Sequence, residues 1–295
     1  MENLAELWTT RSGDENEEFL IPNLHNLNVQ NCPKLKFLPY PPRSMIWFLE
    51  NIDEIIPEGG FGKLSSSALP FDMVINNCNF SPDNWDRLHH FPTIESLQVE
   101  SCNGLRALPE VIRCFTSLKR LVLVSLKELE SLPKWLGCLI SLQRVLIKDC
   151  PKLTSLPESM KNLTALKELS LQGCKGWEIL PEWIRLLTSL QIFEIINCPN
   201  LTSLPESMKG LSSLTKLYIK ECQGLAVLPE CLGQLITLQK LSIHHCPNLT
   251  SLPQSVQNLT VLKELYIWGC PILVERCQGE DAGLISQIPK VTLHL

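Results

Sequence analysis

Seven cysteines of this chain stand on one 24-residue lattice: Cys102, Cys150, Cys174, Cys198, Cys222, Cys246 and Cys270, with Leu126 at the point between Cys102 and Cys150. A chain built on such a lattice has to return to an equivalent position every 24 residues, which excludes most folds of independent helices and strands. Around Cys198 the unit reads Leu190-x-x-Phe193-x-Ile195-x-x-Cys198-x-x-Leu201-x-x-Leu204-Pro205, and around Cys222 it reads Leu214-x-x-Leu217-x-Ile219-x-x-Cys222-x-x-Leu225-x-x-Leu228-Pro229. The paired residues Leu217 and Ile219 alternate as a strand does, so both point to one face. Leu-Pro then ends the extended run, because proline has no N–H to give and biases the residue before it away from helix. Segments such as 206–211 predict short helical turns with Met208 and Leu211 turned inward.

One such unit cannot bury its own apolar edge. Stacked units pair their strands in parallel and share one core, and L-x-x-L-x-L-x-x-(N/C)-x-x-L at a fixed period is the mark of a leucine-rich repeat. The sequence therefore predicts an α/β solenoid, a leucine-rich repeat horseshoe with a parallel β-sheet on the concave face and irregular or short helical convex turns. Residues 94–273 are read as regular repeats, 1–93 as irregular N-terminal repeats and loops of the solenoid, and 274–295 as a C-terminal cap with a last strand at 291–295. Leu24-x-x-Leu27-x-Val29-x-x-Cys32-x-x-Leu35-x-x-Leu38-Pro39 is a complete unit. The chain is thus expected to begin inside an array, as a fragment of a longer protein would. Residues 40–69 are degenerate, with one irregular repeat at 45–56 and an exposed loop from Gly62 to Ser67. Met73, Ile75 and Cys78 rejoin the lattice.

From Leu126 onward a 48-residue period overlies the 24-residue one. Leu132-Pro133-Lys134-Trp135-Leu136, Leu180-Pro181-Glu182-Trp183-Ile184 and Leu228-Pro229-Glu230-Cys231-Leu232 form one series. Leu156-Pro157-Glu158-Ser159-Met160, Leu204-Pro205-Glu206-Ser207-Met208 and Leu252-Pro253-Gln254-Ser255-Val256 form the other.

Net charge is −5, so no overall basic drive leads the chain toward nucleic acid or an anionic membrane. No stretch approaches the ~20 apolar residues of a membrane span, and the acidic N-terminus lacks the apolar region of a signal peptide. Thirteen cysteines would suit a disulfide scaffold or a zinc site, yet no C-x-x-C pair occurs and ligand spacing with histidine is lacking. A ladder of cysteines instead predicts small buried residues and weak S–H donors in tight turns, in keeping with a reducing cytosol.

Several motifs are weaker than they look. The run from Gly59 to Ser65 falls short of a phosphate-binding loop, since Pro57 stands where a glycine and Leu64 where Ser or Thr is needed. His89-His90 and His244-His245 are adjacent, which sends the two rings of each pair to different sides of an extended chain. The Asn-x-Thr triplets beginning at Asn162, Asn200, Asn248 and Asn258 arise from the repeat consensus and would matter only in a secreted protein. No grouping of Ser, His, Asp, Cys or paired carboxylates stands above background. The sequence gives no reason to assign catalytic, cofactor-binding or metal-binding residues.

Cys150-Pro151-Lys152-Leu153-Thr154-Ser155-Leu156-Pro157 and its copies at Cys198 and Cys246 resemble the C-terminal repeats of plant nucleotide-binding immune receptors of the coiled-coil class, intracellular disease-resistance proteins. The ending Cys270-Pro271-Ile272-Leu273-Val274-Glu275-Arg276-Cys277, followed by Ile288-Pro289-Lys290, is similar to how such receptors finish. The resemblance implies a cytoplasmic location, with the nucleus open as well. Its implied partners are a pathogen or pest effector, or a host guard target, together with the nucleotide-binding and coiled-coil domains of the same receptor. Neither nucleic acid nor membrane is among them. The alternatives are a free-standing cytosolic repeat scaffold for signalling proteins and a secreted inhibitor, the latter needing disulfides.

In a solenoid the strand face is the default binding surface. Counted back six, four and two residues from each lattice point, the outward positions are Arg120, Val122 and Val124, then Arg144, Leu146 and Lys148. Further along they are Glu168, Ser170 and Gln172, Ile192, Glu194 and Ile196, Lys216, Tyr218 and Lys220, Lys240, Ser242 and His244, and Glu264, Tyr266 and Trp268. Exposed Tyr, Trp and Arg among aliphatic neighbours are what protein interfaces favour. Trp135 and Trp183 lie beyond Leu-Pro, where packing is the expected role.

Overall fold

Each pair of alternating apolar residues forms the centre of a short strand, and the neighbouring unit supplies its hydrogen-bonding partner. The computed structural model describes residues 26–32, 46–52, 71–90 and 93–295, in two compact units, 1–129 and 130–295. The acidic stretch before residue 23, the Leu38-Pro39 step and the loops at 59–67 lie outside the described residues.

In the first unit β1 (Asn26–Gln30), β2 (Ile46–Glu50), β3 (Phe71–Asn76), β4 (Ile94–Glu100) and β5 (Arg120–Val124) pair in parallel in chain order. The degenerate stretch after Pro39 still yields a regular strand, whose Trp47 and Leu49 are each only 1% exposed. After Cys78 the usual return segment is replaced by α1 (Pro82–Asp86) and a 3-10 turn over Arg87–His90. The Trp85 ring buries itself edge-on against Phe80, centroids 5.2 Å apart.

The second unit holds β6 (Arg144–Lys148), β7 (Glu168–Gln172), β8 (Ile192–Ile196), β9 (Lys216–Lys220), β10 (Lys240–His244), β11 (Glu264–Trp268) and β12 (Lys290–His294), again parallel and in chain order. Leu217, Ile219, Met208 and Leu211 are all buried, as the pattern requires. Removing each such side chain from water contributes roughly 1.5–3 kcal/mol. At the C-terminal end α2 (Pro271–Gln278) and α3 (Ala282–Ile285) precede β12, which begins one residue before the expected 291. Asp281, 3% exposed, is held by both Nε and Nη2 of Arg276, at 3.1 and 3.2 Å. The two-pronged pairing supplies the partner a buried carboxylate needs.

The strand ladder ends the same way in nearly every unit. The residue just before the lattice point adopts a left-handed backbone, as at Asn77, Asp149, Asn197, Glu221 and His245, with Gly173 and Gly269 in the same place. Its N–H makes one last ladder bond to the next strand, for example Glu221 N to His244 O at 2.8 Å. The chain then turns inward and buries the cysteine. The thiols donate weakly to a carbonyl of their own strand and, in most units, also approach one in the preceding strand: Cys222 Sγ lies 3.4 Å from Lys220 O and 3.8 Å from Ile195 O. Trp177 stands where other units have leucine, fully inside, with its indole N–H donating to Leu153 O at 2.5 Å. All thirteen cysteines are free thiols, and of these only Cys114 and Cys138 are exposed. Burial pushes the Cys102 thiol up from its ordinary range, and burial with the nearby Asp281 carboxylate pushes Cys277 up to about 12.

Proline opens every regular return turn. Its φ between −60° and −74° suits the extended step before the turn, and its carbonyl accepts the first turn bond, as in Met208 N to Pro205 O at 3.1 Å. The turns pack closest in pairs: Lys134–Cys138 on Glu158–Asn162, Glu182–Leu186 on Glu206–Gly210, and Glu230–Gln234 on Gln254–Asn258. This pairing is the physical content of the 48-residue period. Gly137 faces Ser159 and Gly233 faces Ser255; a Cβ on either glycine would lie 2.1 Å from the serine carbonyl oxygen. In the middle pair the facing residue is Arg185, and there the glycine has moved across to Gly210.

Gly233→Ala should therefore lower unfolding free energy by about 1–3 kcal/mol, the usual range for forced overpacking, measurable by urea denaturation. An unchanged midpoint would show that the two turns can separate freely. Thiol titration without reductant should find Cys114 and Cys138 reacting at once and all thirteen after denaturation; a smaller denatured total would reveal disulfides.

Candidate functional site

In the second unit the outward residues of β6 to β12 share one face of the sheet, in register strand by strand. Sequence position alone does not decide exposure. Arg144, Lys148 and Lys216 are exposed, and Trp268 is the most open large apolar residue among these strand positions at 51%. Leu146, Ile192, Glu194, Ile196, Tyr218, Lys220, Lys240, His244 and Tyr266 are half-buried. Arg120 and Val124 belong to the first unit, exposed and half-buried respectively.

Val122 corrects the expectation. Expected on the open face, it is 3% exposed. It stands in register with Gln98 and between Arg120 and Val124 on its own strand. A short β-branched side chain among longer neighbours is covered by them. Ser170 and Ser242, at 3% each, are hidden in the same way.

The hidden serines organise their surroundings. Gln172 Nε2 donates to Ser170 Oγ at 2.9 Å, and Ser170 Oγ donates to Glu194 Oε2 at 2.8 Å. Ser242 Oγ lies 2.9 Å from His244 Nε2. In register on either side of Ser242 stand Tyr218 and Tyr266. Between those rings sits the Lys240 ammonium, 5.9 Å from the Tyr218 centroid and 4.7 Å from that of Tyr266. Lys220 reaches Tyr218 at 5.4 Å and Lys290 reaches Tyr266 at 5.1 Å. Such distances are those of cation–π attraction.

Glu264 pairs with Lys240 at 3.2 Å and with Lys290 at 3.8 Å. The Glu264 carboxylate holds the Lys240 ammonium above the usual lysine range, and Lys240 holds Glu264 below the usual carboxylate range. Burial, then the charges of Lys220, His245 and Lys240, push His244 below the ordinary histidine value. Its ring lies 5.9 Å from Trp268, and the His245 ring lies 5.7 Å from the same indole.

Lys290 completes the face from beyond the lattice positions, whereas Glu264 is one of the outward positions that the lattice count gives. Lys290 is the first residue of β12, a strand without the repeat consensus; the alternating Val291 and Leu293, in register with Leu265 and Ile267, were its only signal. In the first unit a separate cleft of about 430 Å³ opens beside α1, lined by Phe80, Trp85, Asn103, Arg106 and Glu110 among others. Among the described residues no group of His, Cys, Asp or Glu is placed to hold a metal ion, and no helix is long and apolar enough to cross a membrane.

Because His244 is held below its unfolded value, its contribution to stability is full above pH ~6.5 and is lost as pH falls through the lower folded value. Thermal melts taken from neutral to mildly acidic pH should show this loss, and His244→Gln should reduce it. Superimposable pH profiles would contradict the assignment.

No curated protein matches the sequence. A family model described as a leucine-rich repeat region matches residues 158–281. Among solved structures, the leucine-rich repeat domain of the type III effector XopL matches at 25% identity and a TM-score of 0.63, covering 78% of this chain and 77% of that one. A leucine-rich repeat protein of Leptospira interrogans matches at 18% identity and a TM-score of 0.40, covering 98% and 96%. Plant peptide hormone receptor RGFR1, solved in complex with RGF2, matches at 17% identity and 0.39, covering 83% and 50%. Residues 158–281 are a leucine-rich repeat region and the chain has the leucine-rich repeat fold, whose general use is protein–protein interaction.

Proposed function

We propose that this chain is the recognition and autoregulatory leucine-rich repeat domain of an intracellular plant immune receptor. Its strand face binds a pathogen or pest effector, or a host protein that the effector modifies, and the domain restrains the receptor's nucleotide-binding module. The observation that carries binding is the face of β9 to β12, where Tyr218, Tyr266 and Trp268 stand outward beside lysines. Aromatic residues with adjoining cations, on a strand face where nothing in the core requires them, are the usual composition of an interface hot spot. The immune assignment is supported by the Cys-Pro-x-Leu-x-x-Leu-Pro units at Cys150, Cys198 and Cys246.

The test is a comparative pull-down from plant cytosol, with and without pathogen or pest challenge, read by mass spectrometry. The native chain is set against a Tyr218→Ala, Lys220→Ala, Tyr266→Ala, Trp268→Ala variant whose circular dichroism is unchanged. Challenge-dependent partners, and a nucleotide-binding receptor module, should be captured by the native chain. The challenge-dependent partners should be lost from the variant. Identical partner sets would remove the strand face from recognition, and a set without defence components would remove the immune assignment.

A further inference from the structure

The chain as a whole is acidic, with 31 Asp and Glu against 26 Lys and Arg, yet one part of its surface has the opposite sign. On the outward strand positions of β9 to β12 stand Lys216, Lys220, Lys240 and Lys290, with Glu264 the single carboxylate. Glu264 is already engaged by Lys240 and Lys290. Among the described residues Lys216 and Lys220 make no ion pair, which leaves two ammonium groups of one strand uncompensated, one on either side of Tyr218 along β9. The Tyr218 ring holds Lys220 at 5.4 Å, so that charge is kept near the face rather than swung into solvent. Two strands further along, Trp268 offers the largest open apolar surface on this face.

The neighbouring strands of the same unit differ. On β6 and β7 Arg144 is matched by Glu168 at 3.2 Å, and on β8 the Glu194 carboxylate stands outward, bound by Ser170. Lys148 of β6 is a separate exposed cation, and the carboxylates Glu168 on β7 and Glu194 on β8 stand between it and the lysines of β9 to β12.

Resting on the protein-recognition reading above, we infer that this face seats an acidic segment of the partner protein. Its carboxylates pair with Lys216 and Lys220, and its apolar side chains lie against Tyr218 and Trp268. The match is one of sign and of extent. Adjacent strands are ~4.8 Å apart, so four of them span a distance that a peptide of roughly five residues crosses. A long polyanion such as RNA would run past the lysines onto Glu194 and Glu168, whose carboxylates repel its phosphates. A short acidic protein segment ends before that.

The experiment is selection of a random peptide library, roughly ten residues per peptide so as to overrun the four strands, on the full chain, with fluorescence anisotropy of the enriched sequences. Enriched peptides should be net negative and carry at least one aromatic or large aliphatic residue. Lys216→Glu with Lys220→Glu should weaken them by about tenfold or more, the loss expected when two paired charges become two repulsions. Lys216→Gln with Lys220→Gln should give a smaller loss, and Lys175→Glu none. Circular dichroism establishes that each variant is folded. Enrichment of neutral or basic peptides, indifference to the lysine reversals, absence of enrichment, or tighter binding of a single-stranded RNA oligonucleotide would each overturn the proposal. Neutral or basic peptides that are lost on Tyr218→Ala or Trp268→Ala would leave the strand face as a protein-binding surface and remove only its acidic partner. Peptides indifferent to every change on the face would remove both.

Discussion

Everything in this fold depends on lateral satisfaction. A single unit presents an unpaired strand edge and a row of leucines, and only its neighbours can supply the missing hydrogen bonds and cover the apolar side chains. Helices satisfy their backbone within themselves, whereas these strands do not. The repeated left-handed residue before each cysteine carries that logic to its last step. It gives one more N–H to the neighbouring strand, as Asn197 does to Lys220, and only then lets the chain turn under the sheet. Glycine, asparagine, aspartate and histidine tolerate that conformation, while glutamate at 221 holds it against its own preference.

Burial and exposure were unequally legible in the sequence. Inward positions could be read because the core accepts only apolar groups of a certain size at a fixed step, and Leu217, Ile219, Met208 and Leu211 all lie where that step puts them. Trp177 shows the limit of the same rule: a leucine position can take an indole, provided its N–H finds an acceptor, here Leu153 O. Outward positions could be located but not graded. Whether Val122 or Tyr218 meets water depends on the lengths of the side chains beside it, which belong to other strands. The stretch after Pro39 resisted for a different reason. Between residues 40 and 69 the periodicity fails, yet β2 within that stretch is a regular strand, as Trp47 and Leu49 demonstrate.

The cations of the face are positioned by the aromatic rings rather than by carboxylates alone. Lys240 lies between two tyrosines and also touches Glu264, so its ammonium has partners on several sides. An exposed ion pair by itself contributes little. Rings that narrow the lysine's freedom reduce the ordering that a partner would otherwise have to impose on binding. Ser242, too short to reach the surface, makes the room in which this arrangement fits.

The return turns impose a grammar of length on the array. Gly137 meets Ser159, Gly233 meets Ser255, and between them Gly210 answers Arg185, so glycine is always present on one side of the paired turns. Insertion or loss of a single 24-residue unit would break this alternation and set bulky turns against one another. Gain or loss of 48 residues would leave each turn beside its proper mate. The indivisible module of this molecule, for recombination as for engineering, is the pair of repeats.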